Sequence, residues 1–189
     1  QIIYADPPWE SEKGWFNNRQ WKATQFEKHY PTMSIEEICA LPIIDLADKN
    51  CHCYLWTTSR NLLKGDAWRV LTAWGFRPIQ VITWKKKQFG IGNYFQNNTE
   101  HLIFGVRGQK RTNNTGGFGT CFEHARLRHS EKPPMIRDKI VQWSGNVPRI
   151  ELFARQKVDG WDCWGNEVES DIVLGDSPPK ETVGTDKTK

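Results

Sequence analysis

No stretch of this 189-residue chain approaches 18 consecutive apolar residues, so a membrane-spanning helix is not expected. No signal peptide is evident; the sequence opens on Gln1 within an apolar run, and residues upstream of it are expected. The five cysteines (Cys39, Cys51, Cys53, Cys121 and Cys163) are odd in number and have no C-x-x-C spacing. Neither a disulfide framework nor a zinc site follows from them. Cys51-His52-Cys53 comes nearest to a metal cluster, but alternation along a strand sends His52 to the face opposite both cysteines. Reduced thiols in a cytoplasmic protein, or a nuclear one if the source is eukaryotic, are expected instead. Internal repeats, interdomain linkers and a glycine-rich dinucleotide fingerprint are all missing. The net charge of +4 is too small to name a partner by itself.

What the chain does have is tryptophan, 10 of them, within 12% aromatic residues. Aromatic faces stack on bases and basic side chains hold phosphates, so the combination suits a nucleic-acid partner, although most tryptophans serve a core. Hydrophobic and charged fractions of 38% and 25% are those of an ordinary globular domain, and the length suits one core.

The apolar run Ile2-Ile3-Tyr4-Ala5 reads as a buried strand, ended by Asp6-Pro7-Pro8, because proline has no N–H for the ladder. Residues 10–33 read as a polar loop. Ser34-Ile35-Glu36-Glu37 is a capping box for a helix to about Ala40, limited by Pro42. Further strands are expected at Cys51–Thr57, Ile79–Trp84, Glu100–Val106 and Ile150–Phe153. Leu62, Leu63, Ala67, Val70, Leu71 and Trp74 recur at helical spacing, which predicts one helix over about 60–74 with Gly75 as its cap. A second helix is expected over Pro133–Trp143, with Ser130 near its start. Residues 108–130 read as a loop, and the chain beyond about Glu169 as a flexible tail. Strands separated by helices imply an α/β open sheet, in a single domain over 1–168. Ligands in such sheets bind at the carboxyl ends of the strands, and on this reading Asp6 and Arg107 point into one crevice.

Asp6-Pro7-Pro8-Trp9 at a strand end has a definite chemistry. Two prolines stiffen the turn and leave carbonyls free to accept. A carboxylate beside such a carbonyl makes two rigid acceptors, matched to the two donors of a planar NH2 group, and Trp9 offers a face for an aromatic ring. The amino group of adenine meets all three conditions. Its lone pair is delocalised into the ring; two hydrogen bonds to Asp6 and the Pro7 carbonyl would favour a pyramidal nitrogen, and Asp6 can take the proton after transfer. A base within a duplex cannot reach such a pocket, so it must be flipped out or come from a single strand.

The segment Gln1–Trp9 resembles the signature of the MT-A70-like adenine-N6 methyltransferases. So do His29-Tyr30-Pro31-Thr32-Met33, Asn98–Gly108, Glu131-Lys132-Pro133, Arg149–Arg155 and Gly160–Glu167, in the family's order and along nearly the whole ordered chain. The resemblance is to the prokaryotic or phage branch. It implies a Rossmann-like methyltransferase sheet with permuted motif order, in which the catalytic motif precedes the cofactor-binding strand, and it implies S-adenosylmethionine as cofactor. Catalytic roles fall to Asp6, Pro7, Pro8 and Trp9. Cofactor contacts fall to Asp6, Pro7, Arg107, Glu151, Arg155, Asn166 and Glu167. No metal is implied. After Arg155 the chain reads Gln156-Lys157-Val158, where the eukaryotic mRNA enzyme of the family has a His-Asn pair, so those two roles do not carry over.

Substrate contacts must come from loops. Basic and aromatic residues in 10–30, Lys85-Lys86-Lys87, and Lys110, Arg111, Arg126 and Arg128 suit phosphate clamping and stacking. Trp9, Tyr30, Lys85, Lys86, Arg111 and Arg126 are the candidates. Nucleic acid is the expected partner, DNA ahead of RNA, since the chemistry at N6 is common to both. A non-catalytic partner subunit is the alternative from another class, but the intact Asp6–Trp9 and Gly165-Asn166-Glu167 oppose it. Enzymes acting on a glutamine amide would tend to have Asn-Pro-Pro-Tyr instead. A homodimer, or a heterodimer with a related subunit, is a further expectation, because relatives work as pairs.

Overall fold

A computed structural model of the chain describes residues 1–10, 31–90, 94–113, 119–127 and 131–175. Seven strands form one sheet: β1 (Ile2–Ala5), β2 (Cys51–Thr57), β3 (Arg77–Gly90), β4 (Asn97–Arg107), β5 (Cys121–His124), β6 (Arg149–Leu152) and β7 (Asp162–Trp164). Their order is β5-β3-β4-β2-β1-β6-β7. All pairings are parallel except those of β4, which runs against both β2 and β3. The helices are α1 (Ile35–Ala40), α2 (Ile43–Leu46), α3 (Ser59–Lys64), α4 (Asp66–Ala73) and α5 (Met135–Ser144). The result is the Rossmann-like methyltransferase sheet that the sequence led us to expect.

Strand alternation divides the core in two. Ile3, Ala5, Cys51, Cys53 and Leu55 face one side, with Ile38, Ile43, Val70 and Leu71 of the helices α1, α2 and α4. Ile2, Tyr4, Tyr54 and Trp56 face the other, with Trp84, Ile136 and Ile140. β1 and β2 are buried along their whole length, as strands covered on both faces must be. His52 lies opposite Cys51 and Cys53, bonding Ser144 Oγ at 2.8 Å and the Lys110 carbonyl at 3.1 Å. Among the described residues no group of His, Cys, Asp and Glu could hold a metal, and no helix is long and apolar enough to cross a membrane.

The capping box of α1 forms as expected: Glu37 N–H donates to Ser34 Oγ at 3.2 Å and Ser34 N–H to the Glu37 carboxylate at 2.7 Å. Elsewhere the boundaries differ. The single helix expected over 60–74 is two, α3 and α4, broken where Gly65 turns left-handed at φ 79°. Apolar periodicity runs across the break because Leu62 of α3 and Ala67, Val70 and Leu71 of α4 pack into one core, whereas Leu63 is exposed. The strand expected at Ile79–Trp84 is longer at both ends, and Lys85-Lys86-Lys87 belong to it rather than to a loop. Residues 108–130 are not all loop, since they contain β5, and β7 was not foreseen; both are short edge strands. The tail expected from Glu169 is attached at first. Asp171 accepts from the Cys163 N–H at 2.9 Å, and Leu174 joins the core at 4% exposure. Ser130 and residues 176–189 lie outside the described residues.

Six of the tryptophans, Trp56, Trp74, Trp84, Trp143, Trp161 and Trp164, are buried, so most of the tryptophan content serves packing.

Candidate active site

β1 ends at Ala5, and the next residue is Asp6. Its carboxylate opens into a cleft of about 190 Å³ that Tyr4, Lys132, Arg137, Glu151, Phe153 and Arg155 also line. The register explains this convergence: Tyr4 pairs with Glu151 and Ala5 with Leu152, so β1 and β6 end side by side. The cleft lies outside their carboxyl ends, with α1 and α2 on one face of the sheet and α5 on the other.

Asp6 is held by charge. Lys132 Nζ donates to Asp6 Oδ2 at 2.7 Å and lies 3.4 Å from Glu100. Lys86 closes the row by pairing with the other Glu100 oxygen. Two acids and two bases, all mostly buried, thus form a neutral chain from the cleft to β3. Burial lifts the Asp6 carboxyl above its usual range, and Lys132 offsets part of that rise. For Lys132 burial works against the charge, but Asp6 and Glu100 outweigh it and keep the ammonium above its ordinary value. Burial likewise opposes ionised Glu100, and the two lysines overcome it. Lys132 and Glu100 were not among the sequence candidates, although both lie in segments that carry the family resemblance. The signal was present: each is a charged residue within or beside an apolar stretch.

The proline turn differs in one respect from the sequence reading. Its carbonyls are not free: Pro7 O accepts the Trp9 N–H at 2.9 Å and Pro8 O the Met33 N–H at 2.8 Å. Each carbonyl keeps a second lone pair for a ligand. Trp9 donates its indole N–H to the Trp56 carbonyl at 3.0 Å and packs against the core cluster of α1, α2 and α4. The protein thus fixes the ring's orientation beside the end of β2.

Across the cleft, Phe153 takes the unusual φ of 61° directly after β6. A bulky residue there costs about 1–3 kcal/mol and persists only where its surroundings impose it. Ala154 N–H then donates to Trp164 O at 2.9 Å, joining the ends of β6 and β7. The join needs Gly165, since a Cβ there would strike the Ala154 backbone. Arg155 and Glu167 meet at 3.6 Å, with Asn166 exposed beside them. Glu151 is less open than expected. Arg137 holds both its oxygens at 2.7 Å, and the pair is almost fully enclosed. Arg137 also lies 5.7 Å from the Tyr4 ring centre.

Two expected contacts are corrected. Arg107 ends β4, which runs against β2, and it pairs with Cys51 at the amino end of that strand. It therefore lies at the end of the sheet away from Asp6, where its guanidinium donates to the Ile44 and Ala47 carbonyls and caps α2. Arg111 follows Lys110, whose carbonyl meets His52 at that same end. The sequence could not reveal that β4 is reversed. Lys85 and Lys86 are at the Asp6 end of the sheet, paired with Glu123 at 3.2 Å and with Glu100. Arg126 is exposed next to them, its N–H donating to Gln88 Oε1 at 2.9 Å. Tyr30 lies outside the described residues.

A sequence model of the MT-A70 family matches residues 1–167, nearly nine-tenths of the chain. The chain belongs to the MT-A70 family. Among curated relatives, the type II methyltransferase M.MunI of Mycoplasma sp. is 29% identical over 92% of this chain and 79% of its own. The human N(6)-adenine-specific methyltransferase METTL4 is 27% identical over 88% of this chain, and its mouse counterpart 26% over the same share. The chain spans 37% of the length of either METTL4 protein. In this MT-A70 chain the cleft at Asp6 is formed by segments from both ends of the matched region, so the family likeness and the geometry coincide.

Proposed function

We propose that this chain transfers a methyl group from S-adenosylmethionine to N6 of adenine in nucleic acid, and in DNA ahead of RNA. The observation that carries the reading is the mostly buried Asp6 carboxylate at the end of β1, open to a cleft walled by Arg155, with Asn166 and Glu167 exposed just beyond it. That wall fits the cofactor by its donors: a guanidinium suits a carboxylate, and acid and amide groups suit ribose hydroxyls. Asp6 and Pro7 would border the methionine part. When bound, the cofactor supplies a methyl group activated on a cationic sulfur.

The remaining work belongs to the chain. Asp6 and the second lone pair of the Pro7 carbonyl accept from the two N6 hydrogens, which turns the nitrogen lone pair toward the methyl donor. As N6 gains its carbon it sheds one proton, and the Asp6 carboxylate takes it. A pKa raised by burial suits that role, because a more basic carboxylate holds better the proton it receives. Trp9, oriented by Trp56, stacks on the base. Lys85 and Arg126 bring positive charge to the rim, whereas Lys86 is taken up by Glu100. DNA is favoured because the likeness to a type II methyltransferase covers most of both chains, and because the resemblance is to the prokaryotic branch.

The test is direct. The protein is incubated with radiolabelled S-adenosylmethionine and matched DNA and RNA oligonucleotides, and the labelled nucleoside is identified. N6-methyladenine, lost in Asp6→Ala and strongly reduced in Trp9→Ala, is the expected result. Label on cytosine, or full activity in Asp6→Ala, would overturn the reading.

A further inference from the structure

We infer that the far end of the β3–β4 hairpin is a base-stacking arm that holds unpaired nucleotides beside the target adenine. The inference rests on the proposed function, because it needs a nucleic-acid substrate at Asp6.

The geometry comes from register. Ala5 is level with Leu55, Leu55 with Ile103, and Ile103 with Val81. The catalytic residue after Ala5 is therefore level with Ile82. β3 continues from there to Gly90, about 25 Å of strand at ~3.3 Å per residue. Neither β1 nor β2 extends so far, so the ribbon projects beyond the catalytic edge of the sheet. A single adenine and its cofactor do not need such a projection, whereas a strand that continues a few nucleotides past the adenine can reach it.

The side chains supply the chemistry. Phe89, Tyr94 and Phe95 are 65%, 97% and 85% exposed. Three rings so open, within seven residues of one hairpin end, lack any folding purpose, since none enters either core cluster. Closer to the sheet the same ribbon alternates. Lys86 turns toward Glu100 and the cleft, while Lys85 and Lys87 are exposed, Lys85 against Glu123. Rings at the tip with lysines at the base match a single strand, whose bases stack and whose phosphates are anionic. An adenine that must leave its stack to reach Asp6 exposes the faces of its neighbours, and the rings can cover them. A second copy of the chain is a poorer occupant. Three rings fully covered give about 450–750 Å², short of the ~800 Å² per partner of a stable interface.

The experiment reads binding, independent of catalysis. A fluorescein-labelled, adenine-containing single-stranded oligodeoxynucleotide is titrated with the full chain and with the triple variant Phe89→Ser, Tyr94→Ser, Phe95→Ser, followed by anisotropy. A second probe carries 2-aminopurine a few nucleotides along the strand from the target adenine, since stacking quenches its fluorescence. The variant is expected to bind about tenfold or more weakly and to lose the quench, with unchanged melting temperature and cofactor affinity. Phe89→Trp with Tyr94→Trp should retain both. Unchanged affinity and quench in the serine variant would overturn the inference. So would a serine variant that sediments as a monomer where the parent is a dimer while binding DNA as tightly, because the tip would then serve a second copy. Absence of N6-methyladenine from the parent protein defeats the functional reading instead, and the binding comparison tells the two failures apart.

Discussion

Lys132 Nζ lies 2.7 Å from Asp6 Oδ2 and 3.4 Å from Glu100. On the proposed mechanism, the carboxylate that accepts from the adenine amine already holds a cation. Asp6 has four lone-pair directions, so the two partners can share it. The pairing has a second effect, which is on titration. Burial raises the Asp6 pKa and Lys132 lowers it, with burial ahead. The working form is the ionised one, so activity falls as pH drops through this pKa. Lys132→Met removes the lowering influence, and the acid limb of kcat/KM for methyl transfer is expected to move to higher pH. The pH profile of labelled methyl incorporation checks it; a limb that stays in place would separate Asp6 from the observed titration.

Arg137 and Glu151 make the tightest pair in the cleft, with two bonds of 2.7 Å and side chains 14% and 11% exposed. Removing one member leaves an enclosed charge without its partner. Arg137→Met is expected to cost about 3–5 kcal/mol, measured by urea unfolding. Arg137→Met with Glu151→Met should recover much of that loss, since both charges then go. A double variant as unstable as the single one would mean that packing, not charge, sets the cost.

The cofactor side of the site can be divided by comparing two arginines. Arg155 stands at the cleft and Arg107 caps α2 at the opposite end of the sheet. Arg155→Met is expected to raise KM for S-adenosylmethionine roughly tenfold or more, as loss of a charged hydrogen bond of about 1.5–3 kcal/mol implies. Melting temperature should barely change. Arg107→Met should leave KM alone and lower stability by about 1–3 kcal/mol, since two carbonyls lose their donor. Steady-state kinetics with thermal unfolding on both variants checks the pair; equal KM effects would restore Arg107 to the site.

The two arginines also mark how far the sequence could be read. Asp6-Pro7-Pro8-Trp9, the β1 and β6 strands and the Gly165-Asn166-Glu167 turn follow from local signals: proline endings, apolar runs and a resemblance in order. Arg107 was misplaced because local pattern carries no direction. An apolar run such as Leu102-Ile103-Phe104 reads the same whether its strand runs with the sheet or against it. Gly65 was read as part of one helix because the apolar stripe continues across it, and only its left-handed φ of 79° breaks the chain's course. Lys132 and Glu100 were passed over for another reason. They lie 32 residues apart in sequence and acquire meaning only when β4 and the segment before α5 bring them to Asp6.

His52 provides a pH prediction for the fold itself. It is fully buried between Ser144 Oγ at 2.8 Å and the Lys110 carbonyl at 3.1 Å, with Phe104 edge-on at 4.9 Å. Burial pushes its pKa down to about 4, with the Lys110 carbonyl opposing and the Lys110 ammonium assisting. The unfolded chain therefore binds a proton near pH 6.5 that the folded chain refuses until about pH 4. Stability contributed by the neutral ring is fully present above pH 6.5 and is lost as pH falls through that window, by roughly 3 kcal/mol in all. Carboxylates with lowered pKa, such as Asp171 at about 2, lose their contribution at lower pH. The two effects are thus separable along the pH axis. Unfolding free energy measured by urea between pH 7 and 4.5 should decline more steeply in the parent than in His52→Gln, whose amide can bond Ser144 but cannot take the proton; the slope that remains includes His101, whose pKa burial also lowers. A decline of the same size in His52→Gln would assign the acid sensitivity to another group.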